Sequence, residues 1–133
     1  MNYKEFKAHS AKVVSELAII FAFNDSQMET GLSKMGWTID NIVRFMGGYC
    51  DRSVIESNKK AMNDLYNLEQ DLLKDNAFLY DALVYELFNH EYSYTRDLEP
   101  TISALGLDLM KLSPCQMKIV DKAKYYVLST SID

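Results

Sequence analysis

The segment over residues 81–92, with the sequence DALVYELFNHEY, constrains the fold of this chain more than any other feature. Its apolar side chains, with those just before it, point in almost every direction around a helical axis, as in a helix that other elements surround. The segment also carries Glu86 and His90, and such groups are costly to bury without hydrogen-bonding partners. We therefore predict a central helix over residues 77–91 whose polar residues form either an internal network or a functional site.

Length and composition favour one helical domain. A chain of 133 residues is long enough to form a single core, so we predict one domain over residues 1–133. Only five Gly and two Pro residues interrupt it, which favours helices over a β-sandwich with many turns.

Charge and hydropathy argue against two classes of partner. The net charge of −5 argues against direct nucleic-acid binding, because that affinity comes from cationic side chains. The sequence has no apolar run of about 18 residues and no signal-peptide core at its N-terminus, so we expect a cytoplasmic protein without membrane association. Cys50 and Cys115 show no metal-binding spacing and are predicted to be buried thiols.

Apolar periodicity and capping residues predict the elements. An amphipathic helix is expected over residues 3–23. A short helix follows, begun by a capping box of Asn24 and Gln27 or of Ser26 and Glu29 and ended by Gly36. Over residues 37–50 the helical pattern fails, and a short strand or an irregular arm with a turn at Gly47-Gly48 fits better. The remaining expected elements are a helix from a capping box of Ser53 and Glu56 to about Lys74, a loop over 92–97 and a short helix from Pro100 to Gly106. A last helix is expected over 113–128, begun by a capping box of Ser113 and Gln116. The predicted fold is mainly α, a compact bundle of about five helices with one small β-element near residues 41–50.

Glu86 and His90 are the candidate metal ligands. They lie four residues apart on one helical face, a spacing that can ligate a transition metal, but two ligands leave a zinc or iron site incomplete. The sequence favours an internal hydrogen-bond network that ties the end of this helix to the following loop. It also lacks the pattern of a Ser or Cys nucleophile with an adjacent base, so we predict no enzyme and no cofactor, with a metal-dependent enzyme using Glu86 and His90 as the alternative.

Surface recognition remains as the predicted activity. Nine Tyr, seven Met and one Trp exceed what a small core needs, and these residue types are favoured at protein interfaces. The arm over residues 37–50 and the loop over residues 89–97 interrupt the helices, and loops on rigid scaffolds commonly carry function. The predicted contact residues are Tyr49, Glu91, Tyr92, Tyr94, Asp97 and Glu99. Two alternatives are that the tyrosines only cover the rim of the core and that Tyr125 and Tyr126 mediate self-association.

Four motifs resemble a family of small, uncharacterised proteins of bacteriophages and bacterial mobile elements. They are Phe21-Ala22-Phe23-Asn24 with Gln27 and Gly31, Gly47-Gly48-Tyr49, the DALVYEL segment with Asn89-His90-Glu91-Tyr92, and Ala104-Leu105-Gly106. The resemblance covers most of the chain from residue 21 onward and implies no catalytic role for any residue.

The resemblance implies a setting. Small acidic phage proteins without catalytic motifs often inhibit bacterial antiviral systems, as anti-CRISPR proteins do, by docking on a host effector. By this analogy we expect a monomer or homodimer in the host cytoplasm that binds a host protein, for instance a nuclease effector complex. If the effector's nucleic-acid channel is the target, its basic lining is expected to meet the carboxylates of Asp81, Glu86, Glu91, Asp97 and Glu99.

Overall fold

A computed structural model describes residues 1–130 of the chain. This part contains seven α-helices and one two-stranded sheet, which confirms the mainly helical fold with a small β-element. The helices are α1 (Tyr3–Ser15), α2 (Asp25–Met35), α3 (Ile55–Leu72), α4 (Asn76–Asn89), α5 (Tyr92–Thr95), α6 (Glu99–Ala104) and α7 (Pro114–Thr130), and the strands are β1 (Ile42–Phe45) and β2 (Gly48–Asp51). Single turns of 3-10 helix lie at Ile39–Asn41 and Leu109–Lys111. Six of the seven α-helices were among the expected elements, α6 as the short helix from Pro100 to Gly106, and the additional one is α5, which forms where a loop was predicted.

The contacts within the chain define two compact units. Within the described residues, one consists of Met1–Ala8 and residues 67–130, and the other consists of His9–Tyr66. The organisation as one domain over residues 1–133 stays a prediction.

Helix α4 lies at the centre of the first unit, as its sequence predicts. It packs against α5, α6 and α7. Ala82, Leu83 and Leu87 of α4 and Val120 and Ala123 of α7 are all fully buried. Burying a leucine side chain stabilises the folded state by roughly 1.5–3 kcal/mol. The contact between α4 and α7 therefore contributes much of the stability of this unit.

The ends of α4 follow local chemistry. Asp75 caps its start by accepting a hydrogen bond from the backbone N–H of Phe78 at 2.9 Å. The helix ends at Asn89, two residues earlier than predicted, and Glu91 has a φ of 55°, which turns the chain out of the helix. The residues predicted as a loop then form the short helix α5. Farther on, Ser113 and Gln116 form the predicted capping box of α7.

Helix α1 is shorter than predicted, ending at Ser15 instead of Phe23. Its apolar periodicity continues to Phe21, but Ile20 forms an antiparallel bridge with Tyr49, with N–O distances of 2.7 and 2.8 Å. Ile20 is only 5% exposed and its side chain lies against Gly31. The stretch after α1 is therefore extended because β pairing with a residue far along the chain replaces the helical hydrogen bonds.

Residues 42–51 form a β-hairpin, where a short strand or an irregular arm with a turn at Gly47-Gly48 was expected, and the turn lies one residue earlier than predicted. β1 and β2 are antiparallel, with Phe45 opposite Gly48. Met46 and Gly47 form the two-residue turn with φ values of 51° and 79°, as a type I′ hairpin requires at both positions. After β2, Ser53 was expected to cap α3, but its hydroxyl and its backbone N–H both donate to the Asp51 carboxylate.

Candidate functional site

The hairpin borders a cavity of about 410 Å³, which we call the hairpin groove. Among the described residues that line it, Arg44 is the one with a charged side chain, beside aromatic and small residues. The lining residues are Ala22, Phe23, Arg44, Phe45, Met46, Gly47, Gly48 and Tyr49. A cavity of this volume with aromatic side chains and one cation along it is a candidate binding site.

Phe23 is the most exposed aromatic residue of the groove, with 93% of its surface accessible. Its backbone is nevertheless fixed, because its N–H donates to Gln27 Oε1 at 2.7 Å while Asn24 Oδ1 accepts from the N–H of Gln27 at 2.8 Å. In a helix start of this type the apolar residue before the cap usually packs on the fourth residue of the helix, which would be Met28 in α2. Phe23 is solvent-exposed instead, so the capping box fixes the backbone of an aromatic residue whose side chain is not used in the core.

Gly48 holds the segment that carries Phe23 close to the hairpin. A Cβ atom at this position would lie 2.6 Å from the carbonyl oxygen of Ile20 and 3.0 Å from the Phe21 ring. Only glycine allows this approach without a shift of the backbone. The bridge between Ile20 and Tyr49 and the capping box therefore fix the Phe23 segment at both ends.

Tyr49 is the predicted contact residue that the structure places in the groove, where it is half-buried. Phe23 was missed because the helix was expected to continue to that residue. A signal was present in the sequence: if Asn24 caps α2, Phe23 lies outside the helix.

The predicted contact residues of the first unit lie between the end of α4 and the first residue of α6. Tyr94 is 87% exposed, and Glu91, Asp97 and Glu99 are exposed as well. We call these four residues the acidic loop. Tyr92 was predicted to be a contact residue, but it is only 6% exposed, so its side chain is part of the core of this unit.

Glu86 is the centre of a buried polar cluster, and only 2% of its surface is exposed. Its Oε1 accepts a hydrogen bond from Tyr3 Oη at 2.6 Å and lies 3.6 Å from Lys7 Nζ. Its Oε2 accepts from Asn89 Nδ2 at 3.3 Å. His90 Nε2 lies 3.2 Å from the same oxygen, but the imidazole is not aligned to donate to it. These contacts form an internal network, which joins α4 to α1 rather than to the following loop as expected.

The cluster shifts the pKa values of two of its neighbours. Burial, and then the hydrogen bond to Glu86, raise the pKa of the Tyr3 phenol well above its ordinary value. Burial also raises the pKa of Glu69, partly offset by the positive charge of Lys7. Tyr3 therefore stays a neutral donor to Glu86 throughout the physiological pH range.

The geometry bears on the metal-site alternative. Glu86 and His90 do lie together, but within residues 1–130 no three His, Cys, Asp or Glu side chains are grouped so that they could hold a metal ion. Each oxygen of Glu86 already accepts a hydrogen bond, Oε1 from Tyr3 and Oε2 from Asn89. This donor set is that of a satisfied structural carboxylate.

Four of the five carboxylates expected to meet a basic channel are exposed, and Glu86 is not. Asp81 is exposed but also accepts a hydrogen bond from the backbone N–H of Tyr3 at 3.0 Å. Burial thus removes Glu86 from the predicted acidic surface. Of the two cysteines, Cys50 is buried as predicted, whereas Cys115 is exposed.

The comparisons with known proteins identify the family. The chain belongs to the family described as a family of unknown function (DUF7659), which it matches over residues 2–124. No curated protein and no solved structure matches the chain. Among the helices within residues 1–130, none is both long enough and apolar enough to span a bilayer.

Proposed function

We propose that this member of the DUF7659 family binds a host protein through the hairpin groove and acts by docking, without catalysis. The observation that carries the proposal is the Phe23 side chain, which is 93% exposed on a backbone fixed by its hydrogen bonds. Aromatic residues of this kind dominate protein interfaces, because they supply a large contact area with little loss of conformational freedom. Transfer of the ring into an apolar pocket of a partner would contribute about 1.5–3 kcal/mol.

The chemistry of the groove supports a particular kind of contact. Phe23, Phe45 and Met46 offer apolar surface, and Arg44 offers the one charge. A partner segment that combines an apolar side chain with a carboxylate satisfies both features. Arg44 is exposed, so we expect its contribution to affinity to be smaller than that of Phe23.

The acidic loop is the second contact region in this proposal. Tyr94 supplies an exposed aromatic ring, and Glu91, Asp97 and Glu99 supply negative charge. Such a surface suits a basic region of the partner and accelerates association through electrostatic attraction. A nuclease effector has such a region where it binds nucleic acid.

The class of target follows from the resemblance to phage and mobile-element proteins. That setting supports a bacterial antiviral effector as the partner and inhibition of the anti-CRISPR type, in the cytoplasm of the host cell, as the outcome. We infer that the protein blocks its effector by occupying a surface the effector needs.

The test is protection of a phage from defined defence systems. The protein is expressed in bacterial strains that each carry one CRISPR or other antiviral system, and the plating efficiency of a targeted phage is measured. We expect restored plating in at least one strain and loss of that restoration with Phe23→Asp. Direct binding to the effector of the responding strain is then measured with both proteins purified.

Met110→Asp is the matched control, because Met110 is also 93% exposed and lies outside the groove and the acidic loop. It should restore plating as the unmodified protein does. Plating that stays low in every strain would contradict inhibition of a defence system. Equal loss with Met110→Asp would contradict the assignment of the groove.

A further inference from the structure

Helices α4 and α7 carry a contiguous row of partly exposed aromatic rings, which we call the aromatic strip: Tyr80, Phe88 and Tyr126. The Tyr126 ring contacts both others, with centroid distances of 6.5 Å to Tyr80 and 6.4 Å to Phe88. Phe88 is 46% exposed and Tyr126 is 45% exposed, whereas Tyr80 is half-buried. The strip is separate from the hairpin groove and has no part in the proposed function.

The contacts along the strip show that α4 and α7 run parallel. Near the start of both helices, Asn76 Nδ2 lies 3.8 Å from Cys115 Sγ. Farther along, Lys122 Nζ lies 5.4 Å above the Tyr80 ring, and Tyr126 then reaches Phe88 near the end of α4. The strip therefore has a Lys122 end and a Phe88 end.

Lysines accompany one end of the strip and a glutamate follows the other, while Asp121, also exposed on α7, lies 3.9 Å from Lys124 Nζ and is paired with it. Lys118 and Lys122 are exposed on α7 at the end that holds Tyr80. Glu91 is exposed and follows directly after the end of α4 that holds Phe88. Within residues 1–130, no ion pair joins Lys118, Lys122 or Glu91 to another side chain.

We propose that the aromatic strip binds a second copy of this chain in a two-fold symmetric dimer. A two-fold axis through the middle of the strip, near Tyr126, reverses its direction in the other copy. The lysine end of each copy then faces Glu91 of the other, and the aromatic rings pack at the centre. A strip that is apolar in its middle and oppositely charged at its ends is complementary to its own reversed copy.

This charge pattern is what favours a second copy as the occupant. A partner of another kind has no reason to match both ends at once, whereas a two-fold dimer forms each charge contact twice. Glu91 then contacts the second copy, and the other members of the acidic loop stay available to a host protein.

The test is the molecular mass of the purified protein in solution, measured by sedimentation at increasing concentration. The monomer has a mass of 15.3 kDa, and we expect the mass to rise towards twice that value. Tyr126→Asp should keep the mass at 15.3 kDa at every concentration, because it places a charge at the centre of the interface. Met110→Asp adds the same charge to an exposed side chain outside the strip and should leave the dimer intact.

Charge reversal tests the orientation of the two copies. Glu91→Lys and Lys122→Glu should each raise the dissociation constant of the dimer by about tenfold, since each places like charges opposite one another. The two substitutions in the same chain should restore dimerisation. A wild-type protein that remains monomeric would overturn the proposal, and so would a dimer that Tyr126→Asp leaves intact. Failure of the double variant to recover dimerisation would overturn the two-fold arrangement. Because Phe23→Asp should leave the dimer unchanged, failure here is distinct from failure of the proposed host binding.

Discussion

The Glu86 cluster and the Phe23 segment both depart from the usual placement of residues, in opposite directions. Glu86 is a charged residue in the core, and Phe23 is an apolar residue in water. Glu86 has a hydrogen-bonding partner for each of its oxygens, so its burial is explained by contacts within the unit. Phe23 has its backbone fixed while 93% of its surface is exposed, so contacts within the described residues do not explain the position of its ring. Of these two residues, Phe23 is therefore the better candidate for a functional surface.

Glu86→Ala tests whether the Glu86 cluster is structural, and it has the largest expected effect. The substitution leaves the buried Tyr3 hydroxyl and the Asn89 amide without their acceptor, and we expect it to lower the free energy of unfolding by about 3 kcal/mol. Urea denaturation measures this as a lower midpoint at an unchanged slope.

Glu29→Ala is the control for this change, because Glu29 is an exposed glutamate within helix α2. It should change the free energy of unfolding by less than about 0.5 kcal/mol. If Glu86→Ala is equally mild, the cluster is not a structural network, and Glu86 becomes a candidate for a functional role.

Gly48→Ala tests whether the Phe23 segment is fixed as the geometry indicates. The new methyl group would collide with the Ile20 carbonyl, and we expect a loss of about 2 kcal/mol as the bridge between Ile20 and Tyr49 is displaced. Urea denaturation measures the loss, and amide hydrogen exchange at Ile20 and Tyr49 should accelerate.

Gly47→Asn provides the comparison, because Gly47 has no atom near its missing side chain and asparagine tolerates the φ of 79°. Its cost should be a few tenths of a kcal/mol. Protection of the Ile20 and Tyr49 amides that survives in Gly48→Ala would show that the segment is not fixed by this approach.

The same comparison shows which features a sequence reveals. The capping boxes at Asn24 and Ser113 are correctly predicted because residues three positions apart form them. The end of α1 is not predicted, because it depends on the pairing of Ile20 with a residue in a distant strand. The partner of Glu86 is farther still in the sequence, at Tyr3, 83 residues away. Burial of Tyr92 is missed because a helix of four residues is too short to show periodicity.

Tyr3 gives the cluster a characteristic response to alkaline pH. Its pKa is raised in the folded protein, so the stability it contributes is present below the unfolded-state pKa of 10.0 and is lost as the pH rises above that value. Between pH 9 and 11 we expect the wild type to lose about 1 kcal/mol more than Tyr3→Phe, which has no proton to release.

Urea denaturation of both proteins across this range measures the difference. Tyr94→Phe is the control, because Tyr94 is 87% exposed and its hydroxyl has no role in the cluster. Parallel curves for the wild type and Tyr3→Phe would contradict the coupling of the Tyr3 proton to folding.

Phe23→Ser should have the smallest effect on folding, and that small effect is itself informative. Because 93% of the ring surface is already in water, its removal forfeits almost no burial, and we expect the free energy of unfolding to change by less than about 0.5 kcal/mol. Denaturation by urea measures this, with Leu83→Ala as the contrasting loss of a fully buried side chain at about 3 kcal/mol. A large loss of stability in Phe23→Ser would mean that the ring supports the fold and would remove the reason for a partner. A small loss, together with loss of binding to the effector, would separate the residue that recognises the partner from the residues that fold the chain.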